Sequence, residues 1–188
     1  VSGSSAFWTS ASSYRYMSTS HPVDAHAMPR VRVLMVCMGN ICRSPTAQGV
    51  LQQRVQDAGL ADRIHIDSAG THGWHVGAPP DERAQEHALR RGYDLSGQRA
   101  RKLSRQDFDD FDWVLVMDAA NERAARTLCP PEHAHKLRRL TDFCTRHRAS
   151  DVPDPYDGGE AGFEAVLDLV EDACAGLLRT LIATRPGR

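Results

Sequence analysis

No stretch of this sequence approaches the roughly 18 consecutive apolar residues that a membrane-crossing helix needs, so no helical span is expected. No C-x-x-C pair occurs. The five cysteines are odd in number and scattered, which argues against a disulfide framework and fits a reducing, cytoplasmic compartment. No Cys/His cluster has structural zinc spacing, so neither a metal nor another cofactor is expected. Most of the nine histidines stand in polar stretches, as His133 and His135 do, and a surface position is the plain reading. An excess of one charge is lacking too: 23 basic against 24 acidic residues leave a formal net charge of −1. No global field would draw such a chain to nucleic acid or to an anionic membrane, and any bound anion must be held locally.

Acidic residues are absent before Asp24, and Val1–Met28 is rich in serine with scattered aromatics (Phe7, Trp8, Tyr14, Tyr16). The apolar stretch of about 7–15 residues that a secretory signal requires is missing. A transit peptide would suit the serine content, but only Arg15 and Arg30 supply its basic character. Residues 1–29 are therefore expected to be a disordered extension, or an over-extended start ahead of Met28. Residues 30–188 then make one domain, whose 41% apolar and 25% charged composition, taken over the whole chain, is ordinary for a globular protein.

From Val31 the texture changes. Val31–Val36 is a short apolar, β-branched run ending in a Gly/Asn turn, the pattern of a buried strand. Ser44-Pro45 then offers an N-cap and a first helical position, and Ala47, Val50, Leu51, Val55 and Ala58 follow at helical spacing up to Gly59. Arg63–Asp67 reads as a second strand. A helix opens at Pro79–Glu82 and closes at Gly92, and Phe111–Met117 is a third strand. Asp118 is placed to cap a helix over Ala119–Leu128, Lys136–Leu140 is a fourth strand, and Phe163 to Leu181 mark one face of a long final helix. Such alternation implies a parallel sheet covered on both faces.

The junction of the first strand and helix carries the chemistry. Backbone N–H groups of a tight loop entering a helix favour an anion, and Cys37 stands at the strand edge of that loop. Arg43, six residues on, offers a planar fork suited to two phosphate oxygens. A thiol there is stabilised as the thiolate, which makes Cys37 a candidate nucleophile toward bound phosphorus. The plain alternative is a small buried cysteine at a strand end. A second segment, Asp151–Gly159, combines two prolines, two glycines and the carboxylates Asp151, Asp154 and Asp157. It could supply a general acid for the leaving group, though composition does not rank the three.

The run V-C-M-G-N-I-C-R-S-P-T-A over Val36–Ala47 resembles the signature of the low-molecular-weight protein tyrosine phosphatase family. The resemblance continues through Asp67–Thr71, Trp74–Gly77, Met117-Asp118 and Asp154-Pro155-Tyr156, and so covers roughly residues 31–182. It implies a three-layer, Rossmann-like or flavodoxin-like α/β fold with a central four-stranded parallel sheet. It further implies hydrolysis of phosphotyrosine and small aryl phosphates through a phosphocysteine intermediate. On this resemblance Cys37, Arg43 and Asp154 are catalytic, Asp154 being the general acid. Met38, Gly39, Asn40, Ile41, Cys42 and Ser44 form the phosphate loop, with Met38, Ile41, Trp74 and Tyr156 around its mouth. Asn40 would hold the loop in shape with Ser68 as a partner, Ser44 would stabilise the departing thiolate, and Asp118 would support the site or simply cap a helix. Gln98 stands where many members carry a supporting histidine, and Asp157 where the family often has a second tyrosine.

Cys42, five residues from Cys37, could capture an oxidised nucleophile as a reversible disulfide, or merely fill space. Two rival functions are thiol-coupled arsenate reduction and non-catalytic phosphotyrosine binding. The first needs a relay of nearby cysteines, which Cys129, Cys144 and Cys174 do not suggest; the second would be expected to lose Cys37, Arg43 or Asp154. The partner implied is a tyrosine-phosphorylated protein, with a bacterial tyrosine kinase as the opposing enzyme.

Overall fold

The computed structural model describes residues 30–184, and the extension expected over residues 1–29 lies outside the described residues. Four strands, β1 (Val31–Cys37), β2 (Ile64–Gly70), β3 (Trp113–Val116) and β4 (Leu137–Arg139), pair in parallel in the order β2-β1-β3-β4. Helices α1 (Arg43–Asp57), α2 (Glu82–Arg90), α3 (Asp107–Asp110), α4 (Ala119–Leu128) and α5 (Gly159–Ala183) connect and follow them. This is the expected three-layer α/β arrangement.

The apolar runs of β1 and β3 are buried on both faces, which is why they read as continuous rather than alternating. Val33, Met35 and Cys37 of β1, with Leu115 of β3, face a core shared with α1 and α5. Leu34 and Val36, with Val114 and Val116, face the opposite core, which includes Phe108 of α3 and Ala125 of α4. Each such side chain contributes roughly 1.5–3 kcal/mol on burial, so the sheet centre anchors everything built on its edge. On the α5 side, packing is close enough that a Cβ at Gly176 would lie 1.9 Å from the carbonyl oxygen of Phe143.

The topology sets the position of the site. The chain leaves β1 toward β2 on one side and returns to β3 on the other, so the loops after β1 and β3 diverge at a switch point where ligands bind. Cys37 ends β1 and Asp118 follows β3 beside it. The backbone N–H of Val152 donates to the carbonyl of Met117 at 2.7 Å and brings the Asp151–Gly159 segment to the same edge.

Several boundaries depart from expectation. α1 starts at Arg43 and its N-cap is Cys42, without a side-chain cap; Ser44 and Pro45 lie inside the first turn. Pro45 costs no intrahelical bond there, because first-turn N–H groups lack helical acceptors. The third strand begins at Trp113 rather than Phe111, since Phe111 ends the unforeseen α3. β2 runs on to Gly70 and β4 is shorter than expected. Among the described residues, no helix is long and apolar enough to cross a membrane.

Candidate active site

A cleft of about 400 Å³ opens at the switch point. Its walls come from Cys37, Met38, Gly39, Ile41, Cys42 and Arg43 of the first loop, Trp74 and His75 of the segment after β2, and Asp154, Tyr156 and Asp157 of the last loop. Cys37 is almost fully buried at its foot. Among the described residues, the backbone N–H groups of Gly39, Ile41, Cys42 and Arg43 have no protein acceptor. Such N–H groups at a helix entrance are the donors an anion requires. The loop also lies hard against the end of β2, where a Cβ at Gly70 would come within 2.8 Å of the Met38 carbonyl oxygen. Only glycine permits that approach.

Asn40 holds the loop from within. It is buried and adopts a left-handed backbone conformation, φ 56°, which asparagine tolerates better than most residues. Its Oδ1 accepts from the backbone N–H of Arg101 at 3.0 Å, so its Nδ2 is turned toward the two serines. Nδ2 donates to Ser44 Oγ and to Ser68 Oγ, each at 2.9 Å. Ser44 therefore keeps its single hydrogen for Cys37 Sγ, 3.0 Å away. Ser68 sends its own to Gln48 Oε1 at 2.6 Å. The backbone N–H of Asn40 adds a further donor to Cys37 Sγ at 3.3 Å. The N-cap role expected of Ser44 is thus displaced by its place beside the thiol.

Gln48 is a residue that sequence reasoning missed in this network. Gln98, expected to act there, instead donates from Nε2 to the Pro45 carbonyl at 3.0 Å. The i+4 spacing of Ser44 and Gln48 on one helix was the available signal.

Arg43 is buried and clamped. Its Nη1 donates to Asp118 Oδ2 at 2.5 Å and to the Val152 carbonyl at 3.1 Å, while Nη2 lies 3.3 Å from Asp154 Oδ2. Burial disfavours the Arg43 charge, but the bond to Asp118 and the nearby acidic groups raise its pKa further. Asp118 makes two contacts: its Oδ1 caps α4 through the N–H of Asn121 at 2.7 Å, and its Oδ2 accepts from Arg43 Nη1. Burial pushes the Asp118 carboxyl up, yet the Asn121 N–H and the Arg43 guanidinium outweigh it and hold the group below the usual carboxylate range.

The three carboxylates that composition left unranked separate in space. Asp151 turns to Arg139, 3.1 Å away, whereas Asp154 and Asp157 line the cleft. Of the three, Asp154 reaches Arg43, and its side chain is half-exposed. Tyr156 and Trp74 stand exposed at the rim, Trp74 stacked on His72 with ring centroids 4.4 Å apart. His75, also unforeseen, lies against Gly39, where an added Cβ would meet its ring at 3.1 Å.

Cys42 lines the cleft but its packing is apolar, with Ile41, Ala84 and Phe163. Burial, reinforced by the charges of Asp81 and Cys37, pushes its thiol up to about 12. The remaining cysteines are engaged elsewhere: Cys174 donates to the Ala47 carbonyl in the α1–α5 core and Cys144 to that of Leu169. Among the described residues, no group of three or more His, Cys, Asp or Glu is placed to hold a metal ion.

The sequence model of one protein family, described as low molecular weight phosphotyrosine protein phosphatase, matches residues 32–186. A low molecular weight protein-tyrosine-phosphatase of Streptomyces coelicolor is 44% identical over 160 residues, which cover 84% of this chain and 97% of that protein. The low molecular weight protein-tyrosine-phosphatase YfkJ of Bacillus subtilis is 41% identical over 151 residues, covering 80% of this chain and 96% of the relative. The fold is similar to a crystal structure of protein tyrosine phosphatase from Entamoeba histolytica with Hepes in the active site. That match has a TM-score of 0.80 and 38% identity, and covers 83% of this chain and 99% of the other.

Proposed function

The chain belongs to the family of low molecular weight phosphotyrosine protein phosphatases, and on that premise we propose that it hydrolyses phosphotyrosine in proteins, and small aryl phosphates, through a cysteinyl-phosphate intermediate. The observation that carries this reading is the convergence of Cys37, Arg43 and Asp154 on one cleft at the switch point.

The unspent N–H groups of the loop and the Nη2 side of Arg43 receive the phosphate, while Asp118 and Val152 hold Nη1. The Cys37 thiolate attacks phosphorus as the bond to the phenolic oxygen breaks, and Asp154 gives its proton to that oxygen. The carboxylate of Asp154 then takes a proton from water, whose oxygen attacks phosphorus, and the S–P bond breaks to return the thiolate. The Ser44 hydroxyl, oriented by Asn40, receives the thiolate in that step. A positioned general acid of this kind is worth about 10²–10⁴-fold in rate. Trp74 and Tyr156 supply apolar faces for the phenyl ring, and a buried Cys37 favours phosphotyrosine over the shorter phosphoserine.

The substrate is then a tyrosine-phosphorylated protein, with a bacterial tyrosine kinase as counterpart and the cytoplasm as the setting. A relay for arsenate reduction has little support, since Cys129, Cys144 and Cys174 are not among the residues lining the cleft. Cys42 is proposed to protect Cys37, its thiol condensing with a Cys37 sulfenic acid to give a disulfide and water.

Turnover of p-nitrophenyl phosphate and of a phosphotyrosine peptide tests the assignment. Activity should be abolished in Cys37→Ser, lowered about 10²–10⁴-fold on the peptide in Asp154→Ala, and unchanged by chelator. Full activity in Cys37→Ser would overturn the reading.

A further inference from the structure

Arg83 lies outside the loop that holds phosphate, yet it ties together the two segments between which the reaction is proposed to run. Asp81, the N-cap of α2, accepts the backbone N–H of Arg83 at 2.9 Å, and its own N–H donates to the Ile41 carbonyl at 2.8 Å. The side chain of Arg83 returns to the same carboxylate, Nε to Oδ1 at 3.2 Å and Nη2 to Oδ2 at 3.0 Å. One edge of its fork is thereby fixed to the phosphate-loop side.

The other edge reaches the acid-bearing loop. Nη1 donates to the Tyr156 carbonyl at 3.1 Å, and the guanidinium lies 5.3 Å from the centroid of the Tyr156 ring. The guanidinium also lies 5.0 Å from the centroid of the Phe163 ring, and Phe163 packs against Cys42 and Ala84. Tyr156 in turn donates its backbone N–H to Asp154 Oδ1 at 3.2 Å. The peptide unit that Arg83 holds thus follows directly on the residue that holds the Asp154 carboxylate. A planar, always-charged fork can satisfy a carboxylate, a carbonyl and an aromatic face at once, which a lysine cannot.

We propose that Arg83 is a positioning residue, which sets Asp154 for proton donation by holding Tyr156 against the rim of the Cys37 loop. The proposal rests on the assignment of Asp154 as general acid. Proton donation matters most for a poor leaving group and least for a good one, so a misplaced acid has a signature that a loss of stability or of phosphate binding lacks.

The test is kcat/KM across a series of aryl phosphates for wild type, Arg83→Gln, Arg83→Lys, Asp154→Asn and the Arg83→Gln/Asp154→Asn double variant. Arg83→Gln should lower kcat/KM about tenfold for phenyl phosphate and no more than about twofold for p-nitrophenyl phosphate. Arg83→Lys should fall between, and the double variant should match Asp154→Asn alone. Should Arg83→Gln fail to fold, Asp81→Asn keeps the helix cap while loosening the same anchor, and should show the same graded loss. An equal loss for every leaving group, or additive losses in the double variant, overturns the role of Arg83. A flat series for Asp154→Asn itself overturns the acid assignment and this proposal with it.

Discussion

The backbone N–H of Arg101 donates to Asn40 Oδ1 at 3.0 Å, and this one bond sets the direction of the hydrogen bonds that lead to Cys37 Sγ. With Oδ1 occupied, Nδ2 must face Ser44 and Ser68, and the Ser44 hydrogen is left for Cys37 Sγ. Replacing Asn40 by glycine keeps a φ of 56° without strain and removes three side-chain bonds, each worth about 1 kcal/mol. Asn40→Gly should therefore lose about 2–3 kcal/mol in urea unfolding, and Asn40→Ala about 1 kcal/mol more, because a Cβ resists this conformation. Equal losses would show that the backbone conformation is not a constraint.

Asp118 separates capping from charge. Asparagine retains an oxygen for the Asn121 N–H but gives up the ion pair with buried Arg43. Asp118→Asn should lower kcat/KM about 10- to 30-fold, which corresponds to the roughly 2 kcal/mol of a hydrogen bond between charged groups. Asp118→Ala should in addition lose about 1 kcal/mol of stability with the cap. Wild-type kinetics in Asp118→Asn would remove the ion pair from the account.

Acid sensitivity follows from Asp172, a buried carboxylate on α5 that gathers the N–H groups of Thr145, Arg146 and His147 at 3.2, 2.9 and 2.8 Å. Burial pushes this carboxyl up, but the His147 and Arg146–Thr145 donors prevail and hold it far below the usual range. A depressed folded-state pKa contributes stability that is fully present above the unfolded value of about 3.9 and is lost as pH falls toward the folded one. Asp172→Asn should accordingly be about 2 kcal/mol less stable than wild type near pH 7, with the gap closing below about pH 4. A gap constant with pH, measured by denaturant titration, would contradict this sign.

Much of this was legible in the sequence, for physical reasons. Val33–Val36 and Val114–Val116 sit between two cores, so unbroken apolar runs marked them as central strands. The loop between Cys37 and Ser44 was legible because its donors, thiol and guanidinium are close in sequence. Ser44 misled as a cap because its hydroxyl is taken by Asn40 and Cys37. α3 was missed since four residues, three of them acidic, show no helical periodicity. Gln48 and Arg83 stayed hidden for a different reason: their partners Ser68 and Tyr156 lie 20 and 73 residues away, and only the fold brings them together.

Cys42 carries a redox prediction. Its thiol, pushed up to about 12 by burial and by the charges of Asp81 and Cys37, remains protonated near neutrality. After peroxide treatment, wild type should regain activity with dithiothreitol, and peptide mapping should find Cys37 joined to Cys42. Cys42→Ser should instead accumulate irreversibly oxidised Cys37. Recovery of Cys42→Ser equal to that of wild type would return Cys42 to a packing role.

The central claim is that phosphorus passes through Cys37. Rapid acid quenching during turnover of a phosphotyrosine peptide, followed by mass spectrometry of the Cys37-containing fragment, tests it most directly. One phosphoryl group on Cys37 is expected in wild type, a larger fraction in Ser44→Ala, where thiolate departure is slowed, and none in Cys37→Ser. Turnover with no phosphoryl group on Cys37, or with the group on another residue, would contradict it.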